Sequence, residues 1–264
     1  MRSPRPRPRL RLLLRPSARP VLAIGLALGL SLGAVQAAPA PASRPSPAAG
    51  LRLDAAALQR ITGMPPAPHS RQAEDDLVIL RWMQRYRTPE MEANSWLLLE
   101  RNISTFSRAV GSDLSKSTPV LHRGIRDFLD PLDAVTRDIK QRAARPRPYL
   151  AHKDIHNCLP PESGDSFPSG HATWYRAVAE LLADLLPHLR QRLLDVGMHG
   201  GFNRVLCGVH YPSDVEAGQR LGAAAAQQVI ASPQWRAFRQ DPALINELRG
   251  LRAIPDAAMP LLTR

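Results

Sequence analysis

The sequence predicts an all-α protein, folded as a single compact helical bundle domain over residues 51–264. Apolar residues recur three and four positions apart through most of this region, which is the period of an amphipathic helix. Alternating runs of β-branched residues, which would indicate strands, are scarce. The region is long enough to bury a full hydrophobic core, and neither an internal repeat nor a second boundary divides it. We therefore expect one helical domain.

Residues 1–37 have the pattern of a secretory signal peptide. Seven arginines precede an apolar run over residues 20–35, and small residues up to Ala37 follow where a signal peptidase would cut. The alternative is an uncleaved membrane anchor, which requires about 20 apolar residues, and this run is shorter. We expect cleavage, and therefore a periplasmic or secreted protein.

The positive charge of the chain is concentrated in this leader. Without residues 1–37 the formal net charge falls from +12 to +5, because they hold seven arginines and no acidic residue. The high pI therefore gives little support to a nucleic-acid partner. Residues 38–50 are rich in Ala, Pro and Ser and are predicted to be a linker. No later apolar stretch reaches spanning length, so we expect no stable membrane insertion after cleavage.

Caps and prolines predict the boundaries of the first helices. Thr88 is followed by a proline and an acid, which is typical of a helix start. Asp130-Pro131 predicts a second start of the same kind, for a helix that carries Lys140. That helix should end near Ala144, because the residues before the next two prolines disfavour helical backbone.

Three further helices are predicted toward the C-terminus. From His171 to Leu186 the apolar residues fall on one stripe, with Glu180 off that stripe, and a proline then ends the pattern. The Ser213-x-x-Glu216 sequence predicts a capping box before a helix over residues 217–230. Asp241-Pro242 begins a last helix, which Gly250 ends.

Only two cysteines occur, Cys158 and Cys207, and both follow the leader. In a chain bound for an oxidising compartment they could form a disulfide worth roughly 2 to 4 kcal/mol of stability. Two buried free thiols are the alternative, and the sequence leaves it open.

One region concentrates the residue types that phosphate-ester chemistry requires. Lys140, Arg147 and Arg204 offer three fixed positive charges, although each alone is as ordinary as any surface cation. In the turn that precedes the helix at residue 171, Ser169 can cap the helix and Gly170 lets the backbone approach a ligand closely. The free N–H groups at such a helix start favour an anion.

Two histidines accompany these cations. His171 lies in the first turn of that helix, and His210 precedes Asp214 by four residues. A neutral imidazole is a nucleophile, and a carboxylate on its other nitrogen fixes the tautomer and stabilises the cation formed on attack. A histidine and aspartate pair is by itself more often structural, so its weight depends on its neighbours.

Taken together, three motifs resemble a known signature. These are Lys140-QRAARP-Arg147-Pro148, then Pro168-Ser169-Gly170-His171, then Asn203-Arg204-VLCGV-His210-YPS-Asp214. Their order and spacing resemble the bacterial class A non-specific acid phosphatases, of the superfamily that also holds type 2 phosphatidic acid phosphatases and vanadium haloperoxidases. The resemblance implies the helical fold of that acid phosphatase/vanadium haloperoxidase type.

The resemblance also implies a role for each residue. His210 would accept the phosphoryl group, Asp214 would orient it, and His171 would protonate the leaving alcohol. The remaining predicted residues would stabilise charge on the phosphate: Lys140, Arg147, Ser169, Gly170 and Arg204. No metal and no cofactor are implied, and the substrates would be small-molecule phosphate esters. A homo-oligomer is compatible with the apolar helix faces, although nothing specifies one.

The predicted function is therefore a secreted acid phosphatase that hydrolyses phosphate monoesters without a metal. Three alternatives stay open, namely a lipid-phosphate phosphatase, a vanadate-dependent haloperoxidase, and a non-catalytic anion-binding protein. Asn203 stands where the related motif usually has Ser, which we expect to tune the site rather than abolish activity. A neutral nucleophile and a protonated acid predict a bell-shaped pH profile, with its optimum moved below neutral by the surrounding cations.

Overall fold

The computed structural model describes residues 45–251, and the predicted signal peptide lies outside the described residues. Between residues 45 and 251 the chain forms helices joined by loops, with no β-strand, which confirms the all-α prediction. The helices are α1 (Ala55–Thr62), α2 (Arg71–Tyr86), α3 (Pro89–Leu97), α4 (Ser107–Val110), α5 (Leu114–Ser117), α6 (Pro119–Ala143), α7 (Pro148–Ala151), α8 (Gly170–Leu185), α9 (Arg190–Leu206), α10 (Pro212–Ala231), α11 (Pro233–Arg239) and α12 (Pro242–Gly250).

Helix α8 is the central element, packed against α9, α10 and α6. Gly218 and Gly222 on α10 allow that helix to approach closely, because a Cβ added at either one would lie 2.5 Å and 2.3 Å from backbone oxygens of Ser169 and Thr173. The prediction of a single apolar stripe on α8 is wrong. Residues on every side of the helix are buried, and even Glu180 is only 9% exposed, because neighbouring helices surround it.

Helix α6 corrects the prediction that Asp130-Pro131 begins a helix. It runs without a break from Pro119 to Ala143, and Pro131 lies inside it. Proline in a helix interior costs about 3 kcal/mol because it removes a backbone hydrogen bond. Here the buried face extends on both sides of it, from Leu121 to Ile139, so burial of that face outweighs the local cost. The predicted end near Ala144 is confirmed, since Ala144 has left-handed backbone.

The cap predictions are mostly confirmed. Ser169 accepts from the backbone N–H of Ala172 at the start of α8, and Thr88 and Asp241 cap their helices in the same way. The predicted capping box at Ser213 is wrong, because α10 begins at Pro212 and Ser213 lies inside its first turn.

The domain begins before residue 51, and none of its described helices is of the membrane-spanning kind. Ala48, inside the predicted linker, is buried with the main core cluster, while the remaining division into leader, linker and domain stays a prediction. Within residues 45–251, no helix has the length and hydropathy needed to cross a bilayer.

Candidate active site

The predicted site residues lie at helix ends that meet beside the start of α8. Lys140 is in the last turn of α6, and Arg204 is in the last turn of α9. Arg147 immediately precedes α7, and Asp214 lies in the first turn of α10. The backbone N–H of Ser169 donates to the carbonyl of Asp214 at 2.9 Å, which ties the start of α8 to that of α10.

His210 is fully buried and held through both ring nitrogens. Nδ1 lies 3.4 Å from Asp214 Oδ2 and 3.3 Å from Ser166 Oγ, whose hydroxyl donates to the same carboxylate oxygen at 2.5 Å. Because a carboxylate only accepts, this contact favours a proton on Nδ1 and leaves a lone pair on Nε2. Burial lowers the pKa of His210, so the neutral, nucleophilic form is favoured.

A sharp turn delivers His210 to this position. Gly208 has φ +64°, a left-handed conformation that favours glycine, and the chain reverses there so that the N–H groups of Val209 and His210 both donate to the carbonyl of Arg204. The short spacing between Arg204 and His210 in the sequence thus corresponds to one closed turn.

Arg147 joins the nucleophile to the loop that precedes α8. Its side chain is 3% exposed, and it donates to the carbonyls of Gly164 and Val209 at 3.0 and 3.1 Å. The same Nη1 lies 3.1 Å from Nε2 of His210 and 2.9 Å from Oε2 of Glu162. An N–H of Arg147 therefore faces the lone pair that would attack a substrate.

Lys140 is bound through backbone oxygens. Its Nζ donates to the carbonyls of Asp165 and Ser166 at 2.6 and 3.2 Å. Burial and the charge of Arg147 lower the pKa of Lys140 to about 8, so the ammonium form still predominates at and below neutral pH.

Arg204 is fully buried, with unused hydrogen-bonding capacity. Its Nη2 contacts Oε1 of Glu162, whereas Nε and Nη1 have no hydrogen-bond partner among residues 45–251. Buried N–H groups are costly when unpaired. This guanidinium is therefore suited to receive an anion with several oxygens.

His171 is oriented by a residue far away in the sequence. Its Nε2 lies 2.7 Å from the carbonyl of Leu99, so this nitrogen carries the proton, and Nδ1 lies 3.5 Å from Oε1 of Glu162. Burial and the charge of Arg204 lower the pKa of His171 to about 3. In the absence of a bound anion, His171 is therefore neutral near pH 7.

Glu162 is a site residue that sequence reasoning missed. Its carboxylate lies among Arg147, Arg204, His171 and His210. Burial opposes its ionisation, but the contact with His210 and the charge of Arg204 outweigh burial and hold its pKa well below the usual range. An acid in a Pro-rich loop carried no signal in the sequence.

Arg145 and Asp76 were also missed, and they support Asp214. One amino group of Arg145 donates to Asp214 Oδ1 at 2.7 Å and to Ser213 Oγ at 2.8 Å, and the other donates to Asp76 Oδ2 at 2.8 Å. Its guanidinium also stacks 3.7 Å from the ring centroid of Tyr211. Asp76 belongs to α2, where nothing in the sequence distinguishes it from a surface acid.

Cys158 and Cys207 form a disulfide, so the disulfide prediction is confirmed and the free-thiol alternative is excluded. The bond connects the loop that carries Glu162 to the residue that follows α9. The N–H of Cys158 also donates to the carbonyl of Cys207 at 3.1 Å.

Comparison with known proteins finds a family model that matches part of the chain and several similar proteins. Residues 132–238, which contain every predicted site residue, match the sequence model of the PAP2 superfamily. The match covers less than half of the chain. The chain is similar to the non-specific acid phosphatase of Providencia stuartii, with 29% identity over 140 residues that cover 50% of this chain and 56% of that protein.

Two other proteins are similar over different extents. The lipid A 1-phosphatase of Rhizobium johnstonii is 38% identical over 89 residues, 32% of this chain and 36% of that protein. The crystal structure of a transmembrane PAP2 type phosphatidylglycerolphosphate phosphatase from Bacillus subtilis matches 66% of this chain and 88% of its own, at 23% identity and a TM-score of 0.40. The chain spans about half the length, or less, of these two curated relatives, and the structural overlap is too weak to define the fold.

An apolar cavity of about 1090 Å³ lies between α2, α3 and α9, and none of the predicted site residues lines it. Asn203 and Leu206 line it from α9, so the residue that departs from the usual motif faces this cavity. The remaining wall comes largely from apolar side chains of α2, α3 and α9, among them Trp82, Tyr86, Leu97 and Phe202.

Proposed function

We propose that this protein is a metal-independent phosphatase that hydrolyses phosphate monoesters through a phosphohistidine on His210. The observation that carries the proposal is the environment of that histidine. Its Nδ1 faces Asp214, and its Nε2 lies beside Arg147 within a cluster of cations. The similarity to the Providencia acid phosphatase supports the same reaction class. With cleavage of the predicted signal peptide, the enzyme would act in the periplasm or outside the cell.

In the first step Nε2 of His210 attacks phosphorus. The bound phosphate adds negative charge beside His171 and favours a second proton on its Nδ1. The P–N bond forms while the bond to the leaving oxygen breaks, and His171 gives the alcohol this proton from Nδ1. Asp214 stabilises the positive charge that develops on the nucleophilic ring. In the second step His171 takes a proton from water, the hydroxide displaces His210, and inorganic phosphate leaves.

The cations serve the transferring group. Arg204 offers two buried donor nitrogens without partners in the described part of the chain, and Arg147 and Lys140 add fixed positive charge. Such preorganised donors stabilise the charge that develops on phosphoryl oxygens, the role that metal ions have in other phosphatases.

The proposal is tested by replacing the nucleophile. We expect His210→Ala to lose at least about a thousandfold in phosphate release from p-nitrophenyl phosphate, because no other group can form the covalent intermediate. His188→Ala is the control, since His188 is an exposed histidine in the turn just before α9. Rapid quenching of the wild type with radiolabelled substrate should trap an acid-labile, alkali-stable phosphoryl group. Undiminished turnover in His210→Ala contradicts the mechanism.

A second candidate is a phosphatase for phosphate esters with a long apolar chain. The apolar cavity, which Asn203 next to Arg204 in the sequence lines, favours it, as does the similarity to a lipid A 1-phosphatase. We then expect KM to fall with the length of an alkyl phosphate, by up to about fourfold for each CH₂ buried. Phe202→Ser should remove that dependence, whereas Leu150→Ser, at an exposed position outside the cavity, should keep it. A KM independent of chain length excludes this candidate.

A further inference from the structure

Glu162 is the one acidic side chain among the described residues that contacts both phosphate-binding arginines and both histidines. We propose that its carboxylate occupies the phosphate position, and that a ligand must displace it to bind. The proposal rests on the proposed function, because it concerns the selectivity of the same site.

The contacts of the carboxylate match those expected for a phosphate. Oε2 lies 2.9 Å from Nη1 of Arg147 and 3.8 Å from Nε2 of His210, the nitrogen that would attack phosphorus. Oε1 contacts Nη2 of Arg204 and lies 3.5 Å from Nδ1 of His171, the nitrogen that would protonate the leaving group. An anion cannot reach these four groups while the carboxylate is among them.

The loop that carries Glu162 is bound to the site by its backbone. The phenol of Tyr149 accepts from the N–H of Glu162 at 3.1 Å and donates to its carbonyl at 3.2 Å. Arg147 donates to the carbonyl of Gly164, and the disulfide at Cys158 fixes the beginning of the loop. These contacts hold the backbone, whereas the side chain of Glu162 is 23% exposed, so it can rotate away while the loop remains in place.

Charge decides which ligands can displace the carboxylate. A carboxylate brings one negative charge and leaves Nε and Nη1 of Arg204 without partners among residues 45–251. A phosphate monoester brings up to two charges and three free oxygens, so it can engage those N–H groups and gains more from the cations than the carboxylate does. A singly charged phosphodiester has no such advantage. Glu162 therefore makes the site selective for doubly charged ligands.

The test is direct binding, measured by titration calorimetry at about pH 7.5 with two probes, inorganic phosphate and the monoanion dimethyl phosphate. Glu162→Gln preserves the shape of the side chain and removes its charge. We expect it to bind both anions at least about tenfold more tightly than wild type, with the larger gain for dimethyl phosphate. Asp154→Asn is the matched control, because it removes the same charge from an exposed pair with Arg81.

A second variant guards against a misfolded mutant. Glu162→Ala empties the position, and we expect added acetate to weaken its phosphate binding while acetate leaves the wild type unaffected. Equal or weaker phosphate binding in both Glu162 variants, with helical circular dichroism retained, overturns the proposal. Turnover of phosphate esters is a separate readout. Tighter anion binding without any turnover would refute the proposed function alone, and normal turnover with unchanged binding would refute this inference alone.

Discussion

The guanidinium of Arg145 donates a 2.7 Å hydrogen bond to the carboxylate of Asp214, the group that orients His210. Asp214 also accepts from Ser166 and from the backbone N–H of Tyr211, so its carboxylate cannot rotate freely. Although burial opposes the ionised form, the contact with His210 and the charge of Arg145 lower the pKa of Asp214. The nucleophile is thus supported through a chain of charges that ends at Asp76.

Removing Arg145 should damage both activity and stability. Arg145→Met leaves Asp76 and Asp214 buried without their cation, which typically costs about 3 to 5 kcal/mol. We expect kcat to fall about 10- to 100-fold as the orientation of His210 is lost. Urea unfolding and steady-state kinetics measure the two effects. Arg142→Met is the control, because its pair with Asp138 is largely exposed and should contribute under about 1 kcal/mol.

The role of His171 as an acid predicts a dependence on the leaving group. His171→Gln should reduce kcat for an alkyl phosphate by about 10² to 10⁴-fold, because an alkoxide cannot leave without a proton. The loss should be much smaller for p-nitrophenyl phosphate, whose phenolate leaves unassisted. The ratio of kcat values for the two substrates, compared with that of His188→Ala, is the measurement. Equal losses for both substrates would argue that His171 only holds the phosphate.

The lowered histidine pKa values predict that the free protein loses stability in acid. The pKa of His171 is about 3 in the folded state and about 6.5 when unfolded, so the unfolded chain binds its proton first as pH falls. That proton favours unfolding, and the effect grows between about pH 6.5 and pH 3. The pKa of His210 is lowered in the same direction.

At about pH 5, His171 alone should cost about 2 kcal/mol relative to pH 7.5. Urea unfolding of wild type and of His171→Gln at both pH values measures this, and the variant should show the smaller change. Glu162 and Asp214 add little in this window, because their lowered pKa values matter only below about pH 4.5. If the wild type is as stable at pH 5 as at pH 7.5, the buried neutral state of His171 is wrong.

The disulfide should stabilise the fold by restricting the unfolded chain. Cys158 and Cys207 are separated by 49 residues, and closing a loop of that length is worth about 4 kcal/mol in the chain-entropy description. We expect the double variant Cys158→Ser, Cys207→Ser to lose about 2 to 4 kcal/mol of unfolding free energy. Wild type in reducing agent should unfold at the same urea concentration as the variant. If the reducing agent also destabilises the variant, its effect on wild type is not due to the disulfide.

The sequence predicted the helical class because helix periodicity and helix caps are local signals. A period of three to four residues follows from helix geometry, and the spacing from Arg204 to His210 is one turn closed at Gly208. Ser169 was predicted as a cap for the same local reason, since its hydroxyl reaches an N–H three residues away.

The predictions that are wrong, and the residues that the sequence did not reveal, have a different cause, which is tertiary packing. Pro131 has the local signature of a helix start, and only the long buried face of α6 explains why it lies mid-helix. Glu180 is polar yet buried, because Arg176 and Arg190 pair with it at the edge of the core. Asp76 reaches the site across 137 residues of sequence, a distance at which composition and spacing carry no information. Glu162 lies between two motifs, and only the fold of its loop brings it to Arg204.

Contacts from α2 and from Leu99 set the smallest fragment of this protein that we expect to be active. The matched domain covers residues 132–238, yet Asp76 neutralises Arg145 and the carbonyl of Leu99 orients His171 from outside it. A fragment cut at the domain boundary would keep every motif residue and lose both supports. The motif residues alone are therefore not sufficient for a working site, and the helices before residue 132 are part of what makes the site function.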